Sequence, residues 1–192
     1  MNANMGNEVN QVRALLQKFQ DGYFARDPGN LDEFMQLFVQ SDDLEIIGTN
    51  AVGVSENEWC RGVEDARELV ESDWQYWGDV VYDVQGAHIF VRGDVAWLAT
   101  TATVTDLIVA QERYTGYVDY VKGVVEEDED AKEKMLDILL LGNELLAGLL
   151  KGEMCTWPLR FTAVAVRDEG EWRFHQMQFS FPTTRTPDVQ YN

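Results

Sequence analysis

The stretch EWRFHQMQFSFP, residues 171–182, decides how this chain is read. Aromatic residues recur through it, glycine precedes it and proline closes it, which predicts a β-strand. Strict two-residue alternation gives one face with Trp172, Phe174, Gln176, Gln178 and Ser180. The other face carries Arg173, His175, Met177, Phe179 and Phe181. Neither face is plainly the wet one, so the question is what covers each.

Working outward, LRFTAVAV (159–166) joins this strand through RDEGE, a hairpin signal. Regular pairing of Arg167 with Trp172 places Arg160 beside Phe179, and Thr162 beside Met177, on one face. Further upstream, DVVYDVQGAHIFV and VAWLATTATVT flank Arg92-Gly93-Asp94, a second hairpin signal. The N-terminal part is helical in spacing. Residues 7–25 place Val9, Val12, Leu15, Leu16, Phe19, Tyr23 and Phe24 at helix-like intervals. Pro28 and Gly29 stop that helix, and Asn30 is expected to cap LDEFMQLF (31–38), with Asp32 and Glu33 in its first turn. DLEIIG (43–48) predicts a short strand. Residues 64–77 predict a third helix, with Ala66, Leu69, Val70, Trp74 and Trp77 on one side and Trp59 in the loop before it.

Between the two hairpins, residues 106–156 do not fit a strand pattern. The acidic run Glu126–Asp130 favours a helix start. Met135, Leu136, Ile138, Leu139, Leu141, Leu145, Leu146, Leu149 and Leu150 then form a wide apolar face. A segment this long inside a compact domain has structure of its own, and one or two inserted helices are expected. They would serve either as a lid or as a dimer contact, with the lid favoured by connectivity. Residues 183–192 read as a polar C-terminal tail.

With 192 residues, 45% of them hydrophobic, residues 1–192 suffice for one domain with a sizeable core. The net charge of −19 argues against nucleic acid and against anionic membrane surfaces, both of which call for clustered Lys and Arg. No uninterrupted run approaches the ~18 apolar residues that a membrane span needs. No basic-then-apolar leader begins the sequence, so a cytoplasmic location is expected. Cys60 and Cys155 lack ligand spacing and read as free thiols, with a disulfide between them left open. No metal site or cofactor is expected. His88 and His175 form no triad or metal spacing, and EEDEDAKEK lacks the glycine of a calcium loop.

The order of helices, strand, helix and curved antiparallel sheet, with the segments IIGTN (46–50), EWCRG (58–62), ESDWQYWG (71–78), GDVAWLATTATVT (93–105) and WPLRFTAVAVRDEGEWRFHQMQFSFP (157–182), resembles the SnoaL-like domain family. That family lies within the nuclear transport factor 2-like and ketosteroid isomerase-like superfamily. The resemblance covers most of the chain apart from the insertion and the tails. It implies an α+β, cystatin-like cone: three N-terminal helices closing one side of a curved antiparallel sheet, here with a helical insertion between strands.

Comparison with the isomerases puts the Arg160–Phe179 face inside the cone. The pocket candidates are then Tyr23, Trp59, Trp74, Trp97, Thr101, Arg160, Thr162, Met177 and Phe179. Arg160 on an apolar concave face needs an anion, either a ligand carboxylate or an internal partner such as Glu45 or Asp73. The isomerase base position falls near Ile46 and the acid donor position at Arg160, so the isomerase set is incomplete and catalytic residues stay unassigned. The opposite face, with Phe161, Trp172, Phe174, Gln176 and Gln178, suits a homodimer interface. The function implied is binding of a small, mainly apolar molecule in the cone, with isomerase, cyclase or hydratase-like chemistry as its catalytic form. The alternative is a non-catalytic dimeric interaction module using the outer sheet face or the leucine-rich helix.

Overall fold

A computed structural model describes residues 3–51, 53–54, 58–107, 109–128, 130–150 and 154–182. The tail expected at 183–192 and the side chain of Cys155 lie outside the described residues. Three helices come first: α1 (Ala3–Ala25), α2 (Leu31–Met35) and, after strands β1 (Glu45–Ile47) and β2 (Trp59–Arg61), α3 (Gly62–Tyr76). Then follow β3 (Asp79–Tyr82), β4 (His88–Arg92), β5 (Val95–Leu107), α4 (Ala110–Glu126), α5 (Ala131–Leu149), β6 (Met154–Asp168) and β7 (Glu171–Ser180). The sheet order is β2-β1-β7-β6-β5-β3, with β4 paired to β5. β1 runs parallel to β7, a departure from the antiparallel sheet expected. The chain forms two compact units, one of Met1–Val104 with Trp157–Asn192, the other of Thr105–Thr156.

β7 answers the opening question. Phe179 pairs with Phe161, Met177 with Ala163 and Gln176 with Val164, but Phe174 pairs with Ala165, which leaves His175 without an opposite residue. His175 is the extra residue of a β-bulge. On its two sides the alternation therefore has opposite phase. Trp172 and Phe174 before it, and Met177 and Phe179 after it, all face the same buried side. The bulge also marks a change of partner. Residues before it bond to the chain leaving α2, with Phe174 N donating to Leu37 O (2.8 Å) and Val39 N to Phe174 O (2.9 Å). Residues after it pair with β1.

This phase change corrects the face assignment. Phe161 and Phe174 are fully buried and Trp172 nearly so; they do not form an outer dimer face. Arg160 and Thr162 are exposed on the opposite side instead. In β5 the buried residues are Ala96, Leu98, Ala102 and Val104, so Trp97 and Thr101 point outward rather than into the cone.

α1 packs Val12, Leu15, Leu16, Phe19 and Tyr23 inward at helical spacing, while Phe24, expected on that stripe, is exposed. Phe19 is the hub: its ring lies 4.9–6.2 Å from those of Tyr23, Phe34, Phe38, Tyr82, Phe161 and Phe174. Arg26, at φ 46°, ends α1 and donates to Tyr23 O (3.0 Å) and Trp77 O (2.7 Å), which ties the end of α1 to the end of α3. Asp27, not Asn30, organises the entry to α2: its carboxylate accepts from Gly29 N and from Asn30 Nδ2 (both 2.9 Å). Trp59, expected in a loop, lies in β2 and pairs with Ile47. The turn into β7 holds Glu169 and Gly170 at φ 49° and 88°, the left-handed pair a tight hairpin requires.

Thr105–Thr156 holds α4 and α5. Tyr117 Oη donates to Ile138 O (2.9 Å), and a Cβ on Gly142 would lie 2.7 Å from that hydroxyl, so glycine permits the approach. Asp130 caps α5 by accepting from Lys132 N and Glu133 N (2.7 and 3.1 Å). Met135, Leu136, Leu139, Leu140, Leu146 and Leu150 are exposed.

Deleting His175 keeps Trp172, Phe174, Met177 and Phe179 on the buried face, so that variant is expected to melt cooperatively. Deleting Gln178 makes Met177 and Phe179 neighbours and turns one outward; Phe174→Glu buries a charge. Both are expected to abolish cooperative melting in thermal denaturation followed by circular dichroism. Loss of the transition on deleting His175 alone would refute the bulge assignment.

Candidate functional site

α3 presents Ala66, Val70 and Trp74 to the core at helical spacing, and Asp73 follows Leu69 by four residues along an adjacent line. That position brings a carboxyl to the buried end of α1. Tyr23 Oη donates to Asp73 Oδ2 at 2.7 Å. Burial pushes Asp73 from an ordinary 3.8 to about 7, and the Glu58 charge adds to the rise. The Tyr23 hydrogen bond and Arg26 oppose it without cancelling it. Tyr23 is itself held well above 10, first by burial and then by the charge of Asp73.

Beside this pair lies a cavity of about 10 Å³ lined by Gly48, Thr49, Glu58, Leu69, Asp73, Trp77 and Phe179. That is about the least space that holds one water. Glu58 reaches it across Gly48, where a Cβ would sit 2.3 Å from the carboxylate. Its carboxylate accepts from Asn50 N at 2.8 Å. The cone behind is filled by Phe19, Phe34, Phe38, Phe161 and Phe174, all buried. Two polar atoms in that interior have no hydrogen-bond partner among the described residues, Trp74 Nε1 and Tyr82 Oη. Unmatched buried donors cost about 1–3 kcal/mol each, so the interior carries unused polar capacity next to the Tyr23–Asp73 pair.

Of the nine pocket candidates, Tyr23, Trp74, Met177 and Phe179 face the interior, and Tyr23 stands in the pair itself. The other five do not. Trp97, Thr101, Arg160 and Thr162 are exposed, and Arg160 donates to Phe181 O (3.0 Å), which removes the anion clamp. Trp59 lies on the face opposite buried Cys60 and donates through Nε1 to Glu45 (3.0 Å). Glu45 also accepts from Gln176 (2.6 Å), and these two hydrogen bonds, Trp59 first, hold it below the usual carboxylate range. Ile46, at the isomerase base position, is buried and apolar. Cys60 is a buried thiol raised to about 11, chiefly by burial. His175 meets Asp43 at 3.2 Å on the bulge. No group of metal-binding side chains occurs among the described residues.

The sequence presents Asp73 and Glu58 only within the family segments 71–78 and 58–62, with Asp73 also a partner for Arg160, and marks neither as a pocket residue. The available signal was a carboxylate close to the apolar line of a helix, four residues before Trp77.

Residues 12–129 match the model of the SnoaL-like domain. No curated protein matches the chain. Among solved structures, a candidate dehydratase of the NTF2-like family from Streptomyces avermitilis is similar over 94% of this chain and 99% of its own, at 11% identity and TM-score 0.61. A nuclear transport factor 2-like superfamily protein from Salmonella enterica is similar over 97% and 99%, at 12% identity and TM-score 0.59. A candidate scytalone dehydratase from Novosphingobium aromaticivorans is similar over 96% and 89%, at 11% identity and TM-score 0.55. At these identities the likeness shows the fold, an NTF2-like α+β architecture.

Because Asp73 binds its proton more tightly folded than unfolded, its contribution is fully present below about pH 4 and is lost as pH rises through about 7. Asp73→Asn is therefore expected to flatten the stability profile between those pH values and to gain most over the parent above pH 7, as read by urea denaturation. Tyr23→Phe removes a hydrogen bond that favours the carboxylate, so it is expected to move the Asp73 titration above 7 in carboxyl-detected NMR.

Proposed function

We propose a function for a chain that belongs to the SnoaL-like domain family: acid–base catalysis on a small, uncharged, mainly apolar molecule at the Tyr23–Asp73 pair. The observation that carries it is a half-buried carboxyl with a pKa of about 7, hydrogen-bonded to a tyrosine and open to a cavity. Such a group exchanges protons in either direction near neutral pH. Asp73 and Glu58 give the cavity an acidic wall, which disfavours an anionic substrate.

The reaction class that fits is elimination of water from a β-hydroxy carbonyl compound, and the candidate dehydratases of the same fold support that choice. The Asp73 carboxylate takes the proton from the carbon beside the carbonyl. The electron pair of that C–H bond forms the C=C bond, and the C–O bond breaks. Asp73 returns the proton to the departing hydroxyl, which leaves as water. Burial favours the neutral acid formed midway, and Tyr23 fixes the carboxylate's orientation. The substrate enters by displacing Thr49, Leu69 and Trp77, the half-buried side chains of the cavity rim.

A second reading rests on its own observation. Phe90 and Trp97 pair across β4 and β5, stack at 5.7 Å, and are 54% and 45% exposed, with Val95 also exposed two residues before Trp97 on β5. This patch replaces the one expected at Phe161 and Phe174 as the contact of a homodimer.

Aromatic β-hydroxy ketones, followed by enone absorbance, test the catalytic reading. Turnover is expected to rise with pH through about 7 and to fall 10²–10⁴-fold in Asp73→Asn; equal activity in that variant would overturn it. Trp97→Glu is expected to halve the mass measured by sedimentation equilibrium, and an unchanged mass would remove the dimer.

A further inference from the structure

Thr105–Thr156 is a compact unit of its own, and α5 within it carries two apolar faces where a surface helix needs one. Ile138, Leu141, Leu145 and Leu149 are half-buried, on the side where Gly142 meets Tyr117 of α4. The second face is open. Leu136, Leu139, Leu146 and Leu150 are 53–80% exposed, and Asn143 is exposed among them. Lys132, also exposed, lies one turn before Leu136, and the spacing along this line is 4, 3, 4, 3, 4. A 3.5-residue repeat of this kind is the seam along which one helix meets another.

Three observations fit a second copy of the chain on this seam. The spacing is the same read in either direction. An antiparallel pair therefore places Leu136 on Leu146 of the other copy and Leu139 on Asn143, each contact occurring twice about a two-fold axis. The area is sufficient. With Met135 and Leu140, 61% and 55% exposed on its flanks, the line offers roughly 600 Å² of apolar surface per chain, about the largest patch on a typical monomer and, doubled, about the least that specific interfaces bury. Charge complementarity sets the direction. The last turn of α5 holds no basic residue, so its negative end is uncompensated. Antiparallel pairing brings Lys132 of one copy to that end of the other, whereas parallel pairing sets Lys132 against Lys132. Among the described side chains, those exposed between Met135 and Leu150 carry no charge, so the net charge of −19 is not concentrated at the contact.

We propose that α5 is a self-association helix: two copies of the chain pair through antiparallel α5 helices, in the register Leu136–Leu146 and Leu139–Asn143. The two Asn143 carboxamides then occupy adjacent layers beside the axis, where each can meet the other. A shifted register buries them singly among leucines. The contact shares no residue with the Phe90–Trp97 patch or with the Tyr23–Asp73 pair, so it stands apart from both readings.

Sedimentation equilibrium at about 10 μM chain tests it. Trp97→Glu serves as the parent, which sets the sheet-face contact aside. It is expected to sediment as two chains, half the mass of the unmodified protein if the sheet-face contact also forms. Leu136→Glu and Leu146→Lys, at exposed positions of a helix that accepts both residues, are each expected to reduce the mass to one chain with unchanged far-ultraviolet circular dichroism. Combined in one chain, they face each other across the antiparallel contact and are expected to associate at least about 10-fold more tightly than either alone. Within one chain they lie about 15 Å apart along the helix, too far to pair. A parent of one chain overturns the proposal and leaves this face to the other unit of the same chain or to a different protein. Two-chain mass in both single variants overturns it as well, and no gain in the combined variant overturns the antiparallel pairing.

Discussion

The fold depends on one extra residue. β7 has to serve two neighbours on its outer edge in succession, the chain leaving α2 and then β1, while keeping its large side chains under α1. A regular strand of this sequence cannot do so, since strict alternation would send either Trp172 and Phe174 or Met177 and Phe179 to the solvent side. The bulge at His175 absorbs one residue and reverses the phase. All four side chains then reach the core, and the ring of Phe161 on β6 comes beside that of Phe179, at 5.0 Å. His175 itself is left half-exposed, where it meets Asp43.

The same packing creates the electrostatics of the candidate site. Phe19 and the rings around it exclude water from the end of α1, so a carboxylate placed there has little solvation. Tyr23 and Arg26 supply partial compensation, and Glu58 works against it. The outcome is a carboxyl balanced between its two forms near neutrality, next to a cavity and to two polar atoms with no partner among the described residues. A core of this kind gives rigidity to the pair but little volume, which places the demand for movement on the cavity rim rather than on the aromatic interior.

Charge separates the cavity from the exposed apolar surfaces. The cavity beside Asp73 has an acidic wall. The open line of α5 exposes no charged side chain between Met135 and Leu150 among the described residues. The outward sheet face carries the stacked Phe90–Trp97 pair. These surfaces are chemically distinct, and each asks for a different kind of occupant.

Much was legible in the sequence because it depends on local pattern. The helical spacing of Val12 to Tyr23 and of Ala66 to Trp74, the Arg92-Gly93-Asp94 and RDEGE turns, and the acidic cap before α5 each require only neighbours within a turn or a hairpin. The segments at 46–50, 58–62 and 157–182 carried the resemblance, and the first two lie within the residues 12–129 that match the family. The tertiary structure alone decided which face of the sheet is covered. A bulge leaves no unambiguous mark on alternation: one unpaired residue lets Phe161 and Phe174 both go in while Arg160 and Thr162 face out, and on β5 the buried set of Ala96, Leu98, Ala102 and Val104 leaves Trp97 and Thr101 outward. It alone also brought Asp73 to Tyr23, 50 residues apart, because the raised pKa arises from exclusion of water by rings drawn from α1, α2 and the sheet. Local sequence sets where the chain turns and which residues share a helix face; desolvation at a point is set by everything that packs around it.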